Sequence, residues 1–178
     1  MRRHIAIRNS ARNARAFTLI ELVFVMGLAA IVFFLGIPSY NSFRQNRASA
    51  SAAMQFLFDA RRVRQLCMNI EETSDFTIRN SSASPPNTYS YEVPGEGRTI
   101  SRNIQDEYLG ASIAGAGGSR FRIDEGGNYT REGVADAIVP NPDPGGVNFM
   151  YVSFFSGGGR RYDVRLFVNG ESDIRQIN

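Results

Sequence analysis

The sequence predicts an α+β fold in which one long N-terminal helix packs on an antiparallel β-sheet domain. Three observations carry that expectation. A run from Phe17 to Ile37 is apolar but for Thr18 and one carboxylate. Apolar residues then recur at helical spacing as far as Ile70. Beyond Glu72, short alternating runs are separated by clusters of Gly, Pro, Asn and Ser. The expected divisions are residues 1–16 as a leader, 17–43 as a hydrophobic helix, 44–72 as an amphipathic helix and 73–178 as a β-rich domain.

Residues 1–16 contain Arg2, Arg3, Arg8, Arg12 and Arg15, the only histidine (His4) and no acid. Basic flanks tend to stay on the cytoplasmic side, so this end reads as a tether while the next segment crosses a membrane. Basic residues ahead of an apolar segment also open ordinary secretory signals. Glu21 at the entry to the segment, and the lack of a clear Ala-x-Ala site directly after it, argue against that second reading.

Phe17 to Ile37 is 21 residues, which as a helix would span about 31 Å, enough for a bilayer core. Glu21 is the only charge between Arg15 and Arg44. A carboxylate at the centre of a membrane helix costs about 2.5–3.5 kcal/mol, less near the interface. Two readings of Glu21 stand on the residues alone. It marks the helix start, where an acid favours the dipole, or it awaits an oppositely charged partner.

Pro38 either ends the helix or kinks it, since proline removes a backbone donor and clashes with the preceding turn. Gly36 loosens the same turn. The residues downstream favour a kink: Ala52, Phe56, Ala60, Val63, Cys67 and Ile70 recur every three or four residues, one stripe of a continuing helix. Arg44, Arg47, Arg61, Arg62 and Arg64 make this segment basic. The first expectation for them is a solvated or subunit-facing surface; the second is one that meets lipid headgroups or an acidic partner.

Candidate strands beyond Glu72 are Asp75–Arg79, Thr88–Val93, Ser119–Ile123, Val147–Phe155, Tyr162–Val168 and Asp173–Ile177. Asn169-Gly170 predicts a hairpin with a type I′ turn, because both residues tolerate positive φ. Gly157-Gly158-Gly159 would connect the preceding pair, making the C-terminal third an antiparallel meander.

The formal charge is +3, but removing the five leader arginines leaves 15 of 20 against 17 acids, a balance of about −2. Such a chain is not globally basic, which weakens a general nucleic-acid reading. Cys67 is the only cysteine, so no intrachain disulfide or thiolate cluster is possible, and it reads as a small core residue. Without lysine, and with histidine confined to the leader, the usual nucleophile–base pairs and histidine metal sites are absent; the expectation is no enzyme, no cofactor and no metal. Gly115-Ala116-Gly117-Gly118-Ser119-Arg120 lacks the ending of a phosphate loop and reads as a connection. Asn141 through Gly146 has turn chemistry throughout, and with Asp136 and Asp143 it is too poor in acids for a calcium loop. Arg160, Arg161, Arg165 and Arg175 cluster near the C-terminus beside Tyr162 and Phe167, but Asp163, Glu171 and Asp173 nearly cancel them. Weak, salt-sensitive DNA binding is the most such a cluster would give.

Phe17-Thr18-Leu19-Ile20-Glu21, with its basic leader, apolar continuation and Pro38, resembles the class III signal of type IV pilins and pseudopilins. Tyr40 and Phe43 match the aromatic packing usual beyond the kink. The order of elements, ending in an Asn-Gly hairpin, resembles the GspH/FimT branch. The resemblance is specific over residues 16–43, extends to about Ile70 and is architectural thereafter. It implies a prepilin peptidase that cuts between Ala16 and Phe17 and methylates the Phe17 amine. Ala16 stands where the family usually has glycine; both are small, which implies slower cleavage at most. Glu21 would then be fifth in the mature chain and pair with the terminal ammonium of a neighbouring subunit. Two buried opposite charges compensate where either alone is costly. The implied protein is a minor pseudopilin of the bacterial inner membrane, single-pass with a periplasmic domain, which joins other pseudopilins in a filament serving type II secretion. The alternative is a type IV minor pilin that takes part in pilus assembly or DNA uptake, with Arg160, Arg161 and Arg165 as a weak DNA-binding group.

Overall fold

The structure is a computed structural model that describes residues 18–114, 118–132, 141–142, 148–157 and 159–177. The chain divides into two compact units, one ending at Pro38 and one running from Ser39 to Asn178. Helix α1 (Leu19–Ile70) supplies residues to both. Thr18 caps its start: the Thr18 carbonyl accepts from the Leu22 N–H at 3.1 Å, and its hydroxyl accepts from the Glu21 N–H at 3.3 Å. The helix does not end at Pro38, which lies in its interior.

In the first unit the helix is exposed on every side. In the second, it buries Ser49, Ala52, Ala53, Phe56, Leu57, Asp59, Ala60, Val63 and Cys67. Five of the six residues expected on the stripe are therefore in the core. Ile70 is the exception, 44% exposed, because the helix stops there. Glu71 takes a left-handed φ of 58°, and the Glu72 N–H returns to the Cys67 carbonyl at 3.3 Å, a Schellman-type ending. The Glu72 carboxylate then accepts from the Gly95 N–H at 2.7 Å, tying the helix end to a strand connection.

Ten strands and one short helix complete the chain: β1 (Ser74–Arg79), β2 (Thr88–Val93), β3 (Arg98–Asn103), α2 (Ile104–Glu107), β4 (Ser112–Ile113), β5 (Gly118–Ile123), β6 (Tyr129–Glu132), β7 (Asn141–Pro142), β8 (Asn148–Phe155), β9 (Arg161–Phe167) and β10 (Ser172–Ile177), all among the described residues. They form two antiparallel sheets, ordered β3-β2-β1-β5-β6 and β10-β9-β8-β4, with β7 also paired to β8. All six candidate strands form. Asn141 and Pro142, expected in a turn, pair instead with Phe149 and Asn148.

Both sheets bury one face around α1. The Phe56 ring lies 5.1 Å from that of Tyr89 and 6.1 and 6.3 Å from those of Phe76 and Phe121, all in the first sheet. It lies 5.5 Å from Phe154 in the second. One helical aromatic thus joins both sheets into a single core with Val152, Val164 and Leu166.

The β9–β10 hairpin forms, but not through a type I′ turn. Only Gly170 takes a positive φ, at 83°; Asn169 does not. The Gly170 N–H donates to the Phe167 carbonyl and the Phe167 N–H to the Glu171 carbonyl, both at 2.9 Å. This is the three-residue loop in which a glycine bulge succeeds an ordinary turn. Asn169 contributes its side-chain oxygen instead, accepting from the Glu171 N–H at 3.1 Å.

Candidate functional site

Along the first unit, Leu19 through Leu35 present apolar side chains with none of the apolar window buried. By length and composition this helix suffices to cross a membrane. Its thirteen Leu, Ile, Val and Phe residues between Leu19 and Ile37 favour insertion by roughly 0.3–0.6 kcal/mol each, about 4–8 kcal/mol together. That outweighs the ~2.5–3.5 kcal/mol charged to a central carboxylate. A monomer in water would rarely leave so long an apolar surface bare, so it calls for lipid or partner helices.

Glu21 is exposed in the isolated chain. Its backbone position, three residues beyond Thr18, gives the Thr-x-x-Glu order of a capping box, a signal that apolar periodicity does not carry. Gly36 and Pro38 are both helical. Ala16 and Phe17, the residues of the expected cleavage and methylation, lie outside the described residues. So do Gly115–Gly117, Asp136 and Asp143.

The arginine cluster at the C-terminus is not one basic patch. Alternation along β9 sets Arg161, Asp163 and Arg165 on one face, beside Asp173 and Arg175 of β10. Arg161 grips Asp163 with Nε at 2.7 Å and Nη2 at 3.2 Å, and lies 5.6 Å from the Tyr151 ring centre. Hydrogen bonding to Asp163 keeps the Arg161 guanidinium above its ordinary range. Asp163 also accepts from the Ser153 hydroxyl at 2.6 Å. Arg165 grips Asp173 through two nitrogens and lies 5.5 Å from the Phe167 ring centre. Arg160 differs: it is exposed in the β8–β9 loop, and its backbone N–H donates to Asn46 of α1 at 3.3 Å.

Two helix arginines expected on an open face bond to other elements of the chain, Arg61 while remaining exposed and Arg64 half-buried. Arg61 donates to the Ser172 hydroxyl at 3.0 Å and to the Ser172 carbonyl. Arg64 donates to the Gly127 carbonyl at 2.7 Å. A Cβ on Gly170 would come within 2.5 Å of that same carbonyl oxygen and of Arg64 Nε, so the glycine also makes room for the guanidinium.

A buried polar cluster lies outside every expectation drawn from the sequence. Asp59, 5% exposed, accepts from the Tyr89 hydroxyl at 2.6 Å, from Gln55 at 3.1 Å and from Arg102 at 3.3 Å. Burial first, and then Asp59, push the Tyr89 phenol far above its ordinary range. The signal was present: Asp59 lies three residues after Phe56 and four before Val63, on the stripe itself. Cys67 is fully buried, and burial pushes its thiol up to about 11, leaving it protonated at neutral pH. Among the described residues, no three His, Cys, Asp or Glu side chains gather in a way that would hold a metal ion. Gly118 opens strand β5 rather than a helix, so the Gly115–Arg120 stretch lacks the helix start that a phosphate loop requires.

The architecture, a long apolar N-terminal helix continuing into antiparallel sheets, is consistent with a pilin-like fold. No protein-family model, curated protein or solved structure matches the chain.

Proposed function

We propose that this chain is a minor pseudopilin of the GspH/FimT type, a structural subunit of a filament that drives protein export by type II secretion. One observation carries the reading: a bare apolar helix with a lone carboxylate near its start continues through Pro38 into a helix that organises a two-sheet domain. The bare half supplies surface for the membrane and then for neighbouring helices. The domain half supplies an ordered body. Glu21 sets register by pairing with the terminal ammonium of a neighbouring subunit, released when the prepilin peptidase cuts between Ala16 and Phe17 and then methylated. Gly36 and Pro38 supply the kink. The subunit has no catalytic cycle, and it begins in the bacterial inner membrane with its domain in the periplasm.

The test is Glu21→Ala in the full chain. The expected product is processed at Phe17 but fails to co-purify with partner pseudopilins. Normal co-assembly would remove the proposed role of the carboxylate, and a mature terminus other than Phe17 would remove the framework. Deletion of the gene separates the two candidate machines: loss of exoprotein secretion alone supports this reading, whereas loss of twitching and transformation alone supports the type IV minor pilin. For DNA binding, the pairing of Arg161 and Arg165 with aspartates leaves little free charge, and a gel shift at low salt is expected to show no complex.

A further inference from the structure

The apolar run ends in sequence at Ile37, and the next residues change character together. Tyr40 and Phe43 are 61% and 56% exposed, and Arg44 and Arg47 succeed them by four residues each. The guanidinium of Arg44 lies 5.9 Å from the Tyr40 ring centre and that of Arg47 lies 5.1 Å from the Phe43 ring centre. Helical side chains lean toward the N-terminus, so both charges are carried back by about one turn within this unit.

The β8–β9 loop adds a third charge from across the fold. The Ser156 hydroxyl donates to the Gln45 carbonyl at 2.8 Å, and the Arg160 N–H donates to Asn46 Oδ1 at 3.3 Å. These bonds seat the loop on the helix turn that carries Arg47. Between them lies a groove of about 280 Å³ whose lining includes Ser42, Phe43, Asn46, Arg47, Arg160 and Tyr162, and no carboxylate. Among the described residues, Arg44, Arg47 and Arg160 form no ion pair. On the other side of Phe43 a second groove exposes Tyr40 and Leu109; its carboxylate, Glu107, is engaged by Arg102 at 3.5 Å.

Exposed cations set among exposed aromatics, directly after an apolar run, match a layer that is anionic on its surface and apolar just beneath. We propose that Arg47 and Arg160, supported by Arg44, bind the phosphate headgroup of an anionic phospholipid while Tyr40 and Phe43 enter the acyl boundary. The occupant is a lipid rather than a free anion because the groove walls pair guanidinium with exposed aromatic surface. The inference rests on the membrane placement of residues 19–37, and its test is built to separate the two.

The full chain would be reconstituted into phosphatidylcholine bilayers carrying trace spin-labelled phosphatidylglycerol or phosphatidylcholine. The fraction of each lipid held immobile by the protein is then compared. Near an anionic interface each arginine is worth about a fivefold preference. The wild type should select phosphatidylglycerol at least about fivefold, and Arg47→Gln with Arg160→Gln should abolish the selection. Among the described residues both side chains are exposed and form no ion pair. The bonds that seat the loop use the Ser156 hydroxyl and the Arg160 backbone N–H rather than either guanidinium, so unfolding curves of the double variant should overlay those of the wild type. Incorporation without selectivity overturns the proposal and leaves the membrane placement standing. Failure to incorporate overturns both. Selection that survives the double substitution, or that inorganic phosphate at equal concentration removes, also overturns it.

Discussion

Asp59 is a carboxylate buried in the described core, 5% exposed, and its partners set the cost of disturbing it. A buried acceptor that loses its donor forfeits about 1–3 kcal/mol. Tyr89→Phe leaves Asp59 its bonds from Gln55 and Arg102, so a loss of about 1.5–3 kcal/mol is expected in urea unfolding. Asp59→Ala strands the buried Tyr89 hydroxyl and takes the partner of Gln55 and one of the two carboxylates of Arg102, which keeps Glu107, and it should cost more than Tyr89→Phe. Asp124 offers a different test. Burial opposes its charge, but the Asn128 side chain, the Asn128 N–H and the N–H groups of Gly126 and Gly127 outweigh burial and hold the carboxyl below its ordinary 3.8. A depressed carboxyl stabilises the fold above its unfolded-state value and loses that contribution as pH falls through the lower folded value. The β5–β6 turn should therefore lose hydrogen-exchange protection as pH drops below about 4, and Asp124→Asn should flatten that dependence.

At the scale of elements, the β9–β10 hairpin separates what a dipeptide signals from what a turn requires. Asn169-Gly170 correctly marks the reversal, yet only Gly170 needs positive φ. Gly170→Ala should cost at least about 1 kcal/mol from backbone strain, with further loss as the new methyl meets Arg64 and the Gly127 carbonyl. Asn169→Ala should cost only about 0.5–1.5 kcal/mol, one hydrogen bond. Thermal melts of the two variants would rank them, and equal losses would contradict the bulged-loop geometry. The same scale explains which strands were legible. β1, β2, β5 and β9 alternate apolar and polar residues because each covers the core with one face. β8 reads as a strand from its apolar and aromatic run, and β10, an edge strand with no buried residue, is marked by the Asn-Gly turn before it. β3 and β6 are sheet edges; β3 buries no residue fully, so its sequence carries no alternation to read. β4 and β7, two residues each, exist only through pairing with β8.

At the scale of the whole molecule, the described buried core begins at Ser49 and contains nothing from the first unit. A fragment from Ser39 to Asn178 should therefore fold alone, with a single cooperative urea transition. The full chain should need detergent or lipid to stay dispersed. A broad, non-cooperative transition of the fragment would show that the apolar helix contributes to the core after all. Substituting Phe56, which touches both sheets, by alanine should cost about 3–5 kcal/mol and be measurable in that fragment.

The sequence by itself determined the apolar helix, its lone carboxylate, the continuation beyond Pro38 and six of the strands. Most of these are written in local periodicity or composition, and periodicity arises from which face of an element meets water. Only the tertiary structure decided how the charges are spent. Arg61 and Arg64 are latched to hairpins more than sixty residues away, Arg161 and Arg165 are held by aspartates, and Arg160 is carried by a loop to the helix turn of Arg47. A charge carries no period, and its partner is chosen by the meeting of elements distant in the chain.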